Sequence, residues 1–314
     1  MLHSVLFQVR KMETGITIIK QLVIMAIYCA IGFILHRTKL ISKEGCRAFS
    51  KLLLYVILPC VIINSFLREA NPETTKSLLI CSAVSVVLLL MSMVLCRFAF
   101  RDEAVAEFSA CFSNAGFFGI PLITMAYGNE PVFYIAPFVA LLNILQWTYG
   151  QDRLLGKKQT SVKDIVLNPL VLSLVIGVIL YALPVSLPEL LRKPVASLSS
   201  CNAPVAMIIL GYYLEEISLT QLISGKSVWK VSLFRLVLIP ILSTLIVACV
   251  PGISSAVKTS LIIAASAPVG INVAVYAELL GKDYQKAVAF ICSSTVLCLV
   301  SLPLILMLTG KIIG

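Results

Sequence analysis

Two segments of this sequence place asparagine, serine, glycine and proline inside apolar runs. Residues of these types could interrupt a helix and bind a ligand. Residues 112–122 read FSNAGFFGIPL, and residues 266–272 read SAPVGIN. Their amides and hydroxyls donate or accept hydrogen bonds, while glycine and proline disfavour a continuous helix. Open backbone at bilayer depth is tolerated only where it is buried in protein or lines a watery cavity, so a binding site is predicted. The candidate binding residues are Ser113, Asn114, Gly116, Gly119, Pro121, Ser266, Pro268, Gly270 and Asn272.

The charge around these two segments predicts the sign of the ligand. If both helices break near the midplane, two half-helix N-termini point at one centre, each with about half a positive elementary charge. No Asp or Glu occurs in residues 108–129 or 259–277. A cation would therefore find no counter-charge, whereas an anion would find two helix ends. Na⁺ stays open as a coupling ion, because the opposite half-helix ends offer carbonyl groups.

A purely structural role for the same residues is the alternative. Proline and glycine are commoner in membrane helices than in soluble ones, and asparagine can simply link helices. The same combination recurs at corresponding places in the two halves of the chain. That recurrence favours a binding site over packing.

A second set of residues is placed to form pocket walls or to kink helices. Pro59 and Pro204 occupy equivalent places in the second and seventh apolar spans, beside small or polar residues. Two polar residues of the fifth span, Asn143 and Gln146, lie one turn apart and would line a cavity or link helices. The second-rank pocket residues are Pro59, Asn64, Asn202, Pro204, Asn143 and Gln146.

Two charged residues near the candidate site have competing interpretations. Glu107, two turns before Asn114, would be either a proton-linked gate or an exposed first-turn acid, and we expect the exposed acid. Arg235 lies two turns inside the eighth span. Because a central arginine is costly in a bilayer, we expect its side chain to reach the cytoplasmic interface rather than bind substrate.

The composition of this chain is that of an integral membrane protein. Of its 314 residues, 59% are apolar and 13% are charged, and its mean hydropathy is +1.00. A spanning helix needs about 20 mostly apolar residues, and ten such stretches occur. We predict spans at residues 15–36, 47–67, 77–97, 104–127, 131–150, 165–183, 195–214, 229–250, 258–280 and 287–309.

Several classes of function are disfavoured by the sequence. The net charge of +10 comes from residues scattered between spans, so no nucleic-acid partner is expected. The ten cysteines include no C-x-x-C spacing and there are only two histidines, so we predict reduced thiols, no metal site and no cofactor. There is neither a phosphate-binding loop nor a nucleophile with a base partner in the spans, so neither ATP drive nor an enzyme is expected.

The chain divides into two similar halves around a polar connection. We predict a first five-helix repeat at 12–150, a cytoplasmic loop at 151–164 and a second repeat at 165–314; Met12 is an alternative start, which leaves residues 1–11 undecided. A shift of 145 residues aligns landmarks such as Gly32 with Gly177 and Pro59 with Pro204. Because five is odd, tandem repeats must be inverted across the membrane.

The distribution of basic residues predicts the orientation. Loops on one side carry eight Lys and Arg residues, and those on the other side carry fourteen. The positive-inside rule makes the richer side cytoplasmic and places both termini outside a plasma membrane. The N-terminus does not have the pattern of a signal peptide, because Lys20 interrupts its apolar run.

Several segments give the chain a family resemblance over residues 15–308. SNAGFFGIPL, APVGIN, LNPLVLSLVIGVIL and APVAMIILGYYL together resemble the auxin efflux carrier family, which includes plant carriers and bacterial permeases. The resemblance implies an all-α protein of ten helices in two inverted repeats, whose broken fourth and ninth helices cross at an organic-anion site. It also implies a scaffold of spans one, two, six and seven, through which a homodimer is possible, and a moving unit made of the other spans.

The resemblance assigns roles to particular residues, and the sequence also departs from it. Asn114 matches the crossover asparagine, Gly119 and Pro121 belong to its G-I-P signature, and Pro268 matches the second crossover proline. Ser113 stands where plant carriers have proline, so a gentler break is expected. The third span lacks the carboxylate of plant carriers, so a proton relay through that position is not implied. Coupling to H⁺ or Na⁺, or facilitated diffusion, stays open.

These observations predict a secondary transporter that moves a small organic anion by alternating access. Short loops favour dicarboxylates slightly over aromatic acids. The alternative is a membrane sensor or channel that uses the same crossover site, because such a site can bind a ligand without carrying it.

Overall fold

The computed structural model describes residues 20, 23–158, 163, 166–183, 187–218, 220 and 225–313 of the chain. These described ranges are helical, and twelve helices can be bounded in them. They are α1 (Val23–Arg37), α2 (Lys43–Phe66), α3 (Pro72–Ala99), α4 (Ala104–Cys111), α5 (Ala115–Tyr127), α6 (Glu130–Leu155), α7 (Pro169–Ala182), α8 (Glu189–Glu215), α9 (Lys226–Ala248), α10 (Ser255–Ser266), α11 (Asn272–Leu279) and α12 (Tyr284–Ile312).

Six of these helices are long and apolar enough to cross a membrane: α2, α3, α6, α8, α9 and α12. Four shorter helices, α1, α5, α7 and α10, are also apolar. Two of the predicted spans are interrupted. The span predicted at 104–127 consists of α4 and α5, and the span predicted at 258–280 consists of α10 and α11.

Side-chain caps fix where several of these helices begin. Ser42 accepts a hydrogen bond from Gly45 N–H at the start of α2, and Asn71 caps α3 by accepting from Thr74 N–H. A capping side chain satisfies one of the backbone donors that the first helical turn leaves free. Polar residues at these boundaries therefore let apolar helices begin without unpaired backbone groups.

Three helices contain a widened turn that a proline explains. The turns at Leu53–Ile57, Ala115–Gly119 and Phe234–Leu238 each end two residues before a proline. Proline has no N–H and clashes with the carbonyl four residues earlier, so the preceding turn opens. These turns rotate the side chains that follow them relative to a regular helix.

The helices pack in two groups. In the first, α2 packs against α7 and α8, and α1 crosses α8. In the second, α6 contacts α3 and α10, α9 contacts α10 and α12, and α11 packs against α12. The first group consists of the helices that the family resemblance assigns to a scaffold.

The crossing of α1 and α8 depends on two glycines. A methyl group on Gly32 would lie 2.0 Å from the Ile208 carbonyl oxygen, and one on Gly211 would lie 1.9 Å from the Cys29 carbonyl oxygen. Both distances are far shorter than van der Waals contact. Only glycine lets the two backbones approach this closely, as is common where membrane helices associate.

Gly211→Ala should therefore force α1 away from α8. We expect the free energy of unfolding in detergent to fall by about 1–3 kcal/mol, the usual range for an overpacked contact. Gly45→Ala is the matched control, because its methyl group would meet side chains and no backbone of another helix: Ile41 at 3.3 Å and Ser42 Oγ at 3.7 Å. Denaturant titration of the two purified variants checks this, and equal stabilities would contradict the close crossing.

Candidate functional site

The two interrupted spans meet at their interruptions. α4 ends at Cys111 and α10 ends at Ser266, and the two open segments then run antiparallel, with Ser113 opposite Val269. Asn114 N–H donates to the Pro268 carbonyl at 2.8 Å, and Gly270 N–H donates to the Phe112 carbonyl at 3.1 Å. Backbone groups freed by one broken helix are thus satisfied by the other.

Protein surrounds this crossing on every side. Residues 106–123 and 260–274 are all buried. A methyl group on Gly270 would lie 3.2 Å from the Ser113 carbonyl oxygen, so a side chain here would press on the facing strand of backbone. The surroundings meet the condition under which irregular backbone is tolerated at membrane depth.

Both outgoing half-helices, α5 and α11, begin at the crossing. Neither N-terminus is capped by a side-chain hydrogen bond, whereas α10 and α12 are capped by Ser254 and Asp283. An uncapped N-terminus presents backbone N–H groups and a partial positive charge of about half an elementary unit. The two N-termini can therefore accept a negatively charged group.

The side chains predicted from the first segment have different environments. Asn114 is 3% exposed, and its Nδ2 has no hydrogen-bond partner among the described residues. Ser113 Oγ donates to the Ala264 carbonyl at 2.8 Å, which ties the two broken spans together. The Gly116 carbonyl accepts from Asn202 Nδ2 at 2.9 Å. An unpaired buried amide is costly, so Asn114 is suited to donate to a ligand.

The second segment contributes a polar cluster. Asn272 Nδ2 donates to Asn143 Oδ1 at 3.2 Å and to Gln146 Oε1 at 2.8 Å. The Oγ of Ser266 is buried and has no partner among the described residues. Asn143 and Gln146 are therefore brought to the crossing by α6, although they are far from Asn272 in sequence.

A cavity of about 380 Å³ lies beside α5, and of the predicted binding residues only Pro121 is among the described residues that line it. Its wall includes Pro121 of α5, Asn64 of α2 and Asn202 of α8, together with serine and threonine side chains. No Lys, Arg, Asp or Glu of the described residues lines it, so a bound charge would be met there by neutral polar groups. We call this cavity the vestibule. Pro59 and Pro204 are not part of its lining.

A larger cleft of about 460 Å³ offers different chemistry. It lies between α1, α8 and α12 and touches Phe118 of α5. Its lining is apolar apart from Thr295, so it offers little to bind an ion. The vestibule is the better candidate for a polar ligand.

The expectation for Glu107 was wrong. Its side chain is 1% exposed and accepts two hydrogen bonds from Arg153, at 2.7 and 2.9 Å, as well as one from Tyr149. Arg97 lies 3.5 Å from the same carboxylate. The cluster could not be predicted because its members are far apart in the sequence. The carboxylate can be buried because it is paired with arginine and hydrogen-bonded.

The expectation for Arg235 was also wrong. Its side chain is 2% exposed and turns inward, where its guanidinium donates to the carbonyls of Ala110, Cys111 and Ala265. These carbonyls belong to the last turns of α4 and α10. The signal in the sequence was the depth of Arg235 within its span, but its position two residues into a widened turn decides its direction.

Two serines at the crossing were missed in the sequence. Ser92 Oγ of α3 donates to the Cys111 carbonyl at 2.7 Å, and Ser294 Oγ of α12 accepts from Val269 N–H at 3.0 Å. Many apolar spans of this chain contain a serine, so the sequence gave no reason to select these two as site residues. Both complete the hydrogen bonding of the open backbone.

The described residues define a multi-pass helical membrane protein in which two interrupted helices cross in the buried interior. The family model described as membrane transport protein matches residues 17–164 and 153–306, and the chain belongs to this family, which includes the auxin efflux carriers. The match confirms the resemblance seen in the sequence and makes the chain a membrane transporter. No curated protein matches it.

Glu107→Gln should destabilise the fold, because it removes the buried carboxylate that accepts hydrogen bonds from the partly exposed Arg153 and from Tyr149. We expect the free energy of unfolding to fall by about 1.5–3 kcal/mol, the range for hydrogen bonds to a charged group. Glu189→Gln is the matched control, since Glu189 forms an exposed pair with Lys193 and should matter by less than about 1 kcal/mol. Thermal unfolding in detergent checks both, and similar losses would contradict a structural role for the Glu107 cluster.

Proposed function

We propose that this transporter carries a small organic anion across the plasma membrane by alternating access, with its binding site at the helix crossing. The observation that carries the proposal is the meeting of two uncapped half-helix N-termini beside Asn114, whose Nδ2 is buried without a partner. Together they offer an anion both partial positive charge and hydrogen-bond donors. The binding residues proposed are those of the two segments, with Asn143, Gln146 and Asn202 as supporting residues.

The absence of acidic side chains supports an anion over a cation. Within the described part of the chain no Asp or Glu lines the vestibule, and the sequence has none in residues 108–129. The carboxylate nearest in sequence, Glu107, is already engaged by Arg153 and Tyr149. A cationic ligand in the vestibule would therefore lack a counter-charge, which is expensive away from water.

Two features at opposite ends of α2 support alternating access. The vestibule opens near Asn64, whereas at the start of the helix Arg47 and Lys43 bind Glu278 of α11, the former at 2.5 Å and the latter at 3.0 Å. From Arg47 to Asn64 the helix extends about 26 Å. A cavity lined by both helix groups thus lies at one end of α2, while ion pairs join the two groups at the other end.

We call Glu278, Lys43 and Arg47 the Glu278 cluster. A further ion pair, near the same end of the fold, joins helices of the second group to one another. Glu103, in the loop before α4, accepts hydrogen bonds from Lys286 Nζ at 2.8 Å and from Ser227 Oγ at 2.6 Å. These two donors, with Lys286 first, lower the pKa of Glu103 below its usual value. The contacts link α4, α9 and α12, so these helices are held to move together.

The remaining architecture is proposed on the same basis. Two inverted five-helix repeats, at 12–150 and 165–314, would place the two crossing segments in corresponding positions. The positive-inside rule would place the Glu278 cluster in the cytoplasm and both termini outside. Pairing of two copies through the scaffold helices is compatible with their exposed apolar side chains, such as Val175 and Ile179 of α7.

Asn114→Ala should abolish transport and leave the fold intact, because it removes a donor that has no partner within the described protein. We expect counterflow of a labelled dicarboxylate in proteoliposomes to fall at least tenfold, the equivalent of about 1.4 kcal/mol of binding. Asn129→Ala is the matched control, since this asparagine lies at the exposed mouth of the vestibule. Wild-type counterflow in Asn114→Ala would remove the residue from the site.

The same assay separates a carrier from a channel or a sensor. A carrier exchanges labelled for unlabelled anion and saturates, a channel shows no trans-stimulation, and a sensor shows binding without flux. A thermal-shift screen of carboxylates would select the anion beforehand, because a bound ligand raises stability with the logarithm of its saturation.

A further inference from the structure

Arg235 binds the two half-helices that enter the crossing, whereas the ligand is proposed to bind the two that leave it. Its guanidinium donates from one terminal nitrogen to the Ala110 and Cys111 carbonyls, at 3.3 and 3.0 Å, and from the other to the Ala265 carbonyl. These oxygens close α4 and α10, the two incoming half-helices. One cation therefore binds the C-terminal ends of both broken spans.

The charge of this arginine is balanced by backbone alone. No carboxylate of the described residues forms an ion pair with Arg235, although its side chain is only 2% exposed. Each helix C-terminus carries about half a negative elementary charge, so two of them supply about one. The guanidinium thus neutralises the pair of helix ends, which explains how a lone arginine is accommodated in the interior.

Further hydrogen bonds reach carbonyls at these two ends. The Cys111 carbonyl accepts from Ser92 Oγ as well, the Ala264 carbonyl accepts from Ser113 Oγ, and the Phe112 carbonyl accepts from Gly270 N–H. A coupling Na⁺ at a broken helix would use such carbonyl oxygens as ligands. Here protein donors already occupy these five carbonyls: Ala110, Cys111, Phe112, Ala264 and Ala265.

We propose that Arg235 is a built-in cation that takes the place of a coupling Na⁺ at the crossing. It positions α4 and α10 against each other, and it makes movement of the anion independent of Na⁺. The inference rests on the proposed anion transport for its functional consequence. Its electrostatic part concerns the fold alone and can be tested even if the protein carries no anion.

The first test replaces the cation in the protein. Arg235→Ala should lower dicarboxylate counterflow at least tenfold, while Arg235→Lys, which keeps a cation with several donors, should stay within about threefold of wild type. Lys230→Ala is the control on the same helix, because Lys230 lies at an exposed position, where it donates to the Ala99 carbonyl and contacts the Phe100 ring, away from the carbonyls that Arg235 binds. Wild-type counterflow in Arg235→Ala would overturn the proposal.

The second test restores the cation from solution. Methylguanidinium at millimolar concentration should raise the unfolding temperature of Arg235→Ala relative to the same concentration of choline, because only the former fits the vacated space and donates to the carbonyls. It should have no such selective effect on the wild type or on Lys230→Ala. A purely structural role for the side chain predicts no selectivity between the two cations, and that result would overturn the proposal.

A third measurement needs no variant and decides the matter if Arg235→Ala does not fold. Carboxylate-induced thermal stabilisation and counterflow of the wild type should be unchanged when Na⁺ is replaced by choline at constant ionic strength. A requirement for Na⁺ would overturn the proposal. If the wild type neither binds nor carries any carboxylate, the proposed function fails, while the response of Arg235→Ala to methylguanidinium still tests the cation site.

Discussion

A helix interrupted in the interior of a membrane protein leaves N–H and C=O groups that water cannot reach, and here two interruptions satisfy each other. Asn114 N–H pairs with the Pro268 carbonyl, and Gly270 N–H pairs with the Phe112 carbonyl. Each unmet group would cost several kcal/mol in an apolar surrounding. This reciprocal pairing is what permits both spans to stay open, and the rest of the second helix group is arranged around it.

The crossing also separates charge. The two half-helix N-termini have no side-chain caps, whereas Arg235 donates to carbonyls at both C-termini. Because the negative ends are already neutralised, the unbalanced partial charge at the crossing is positive. An anion is the ligand that such an arrangement favours, and this electrostatic bias requires no lysine or arginine in the vestibule.

The half-helix α4 is anchored at both of its ends by arginine. At its start Glu107 binds Arg153 of α6, and at its end the Cys111 carbonyl accepts from Arg235 of α9. A helix of eight residues has little stability of its own, since short isolated helices are marginal even in water. Its neighbours therefore supply the interactions that fix its position, and any movement of α4 would carry α6 and α9 with it.

The sequence by itself determined the membrane class, the family and the places where two spans break, because apolar stretches and the placement of glycine and proline are local properties. Tertiary structure decided which partners meet at the breaks: Asn143 and Gln146 reach Asn272, while Pro59 and Pro204 do not line the vestibule. It also reversed the expectations for Glu107 and Arg235. Whether a charged side chain turns to the surface or inward depends on partners distant in the chain. The partners of Arg235 are backbone carbonyls, which every residue has, so no residue type in the sequence marks them.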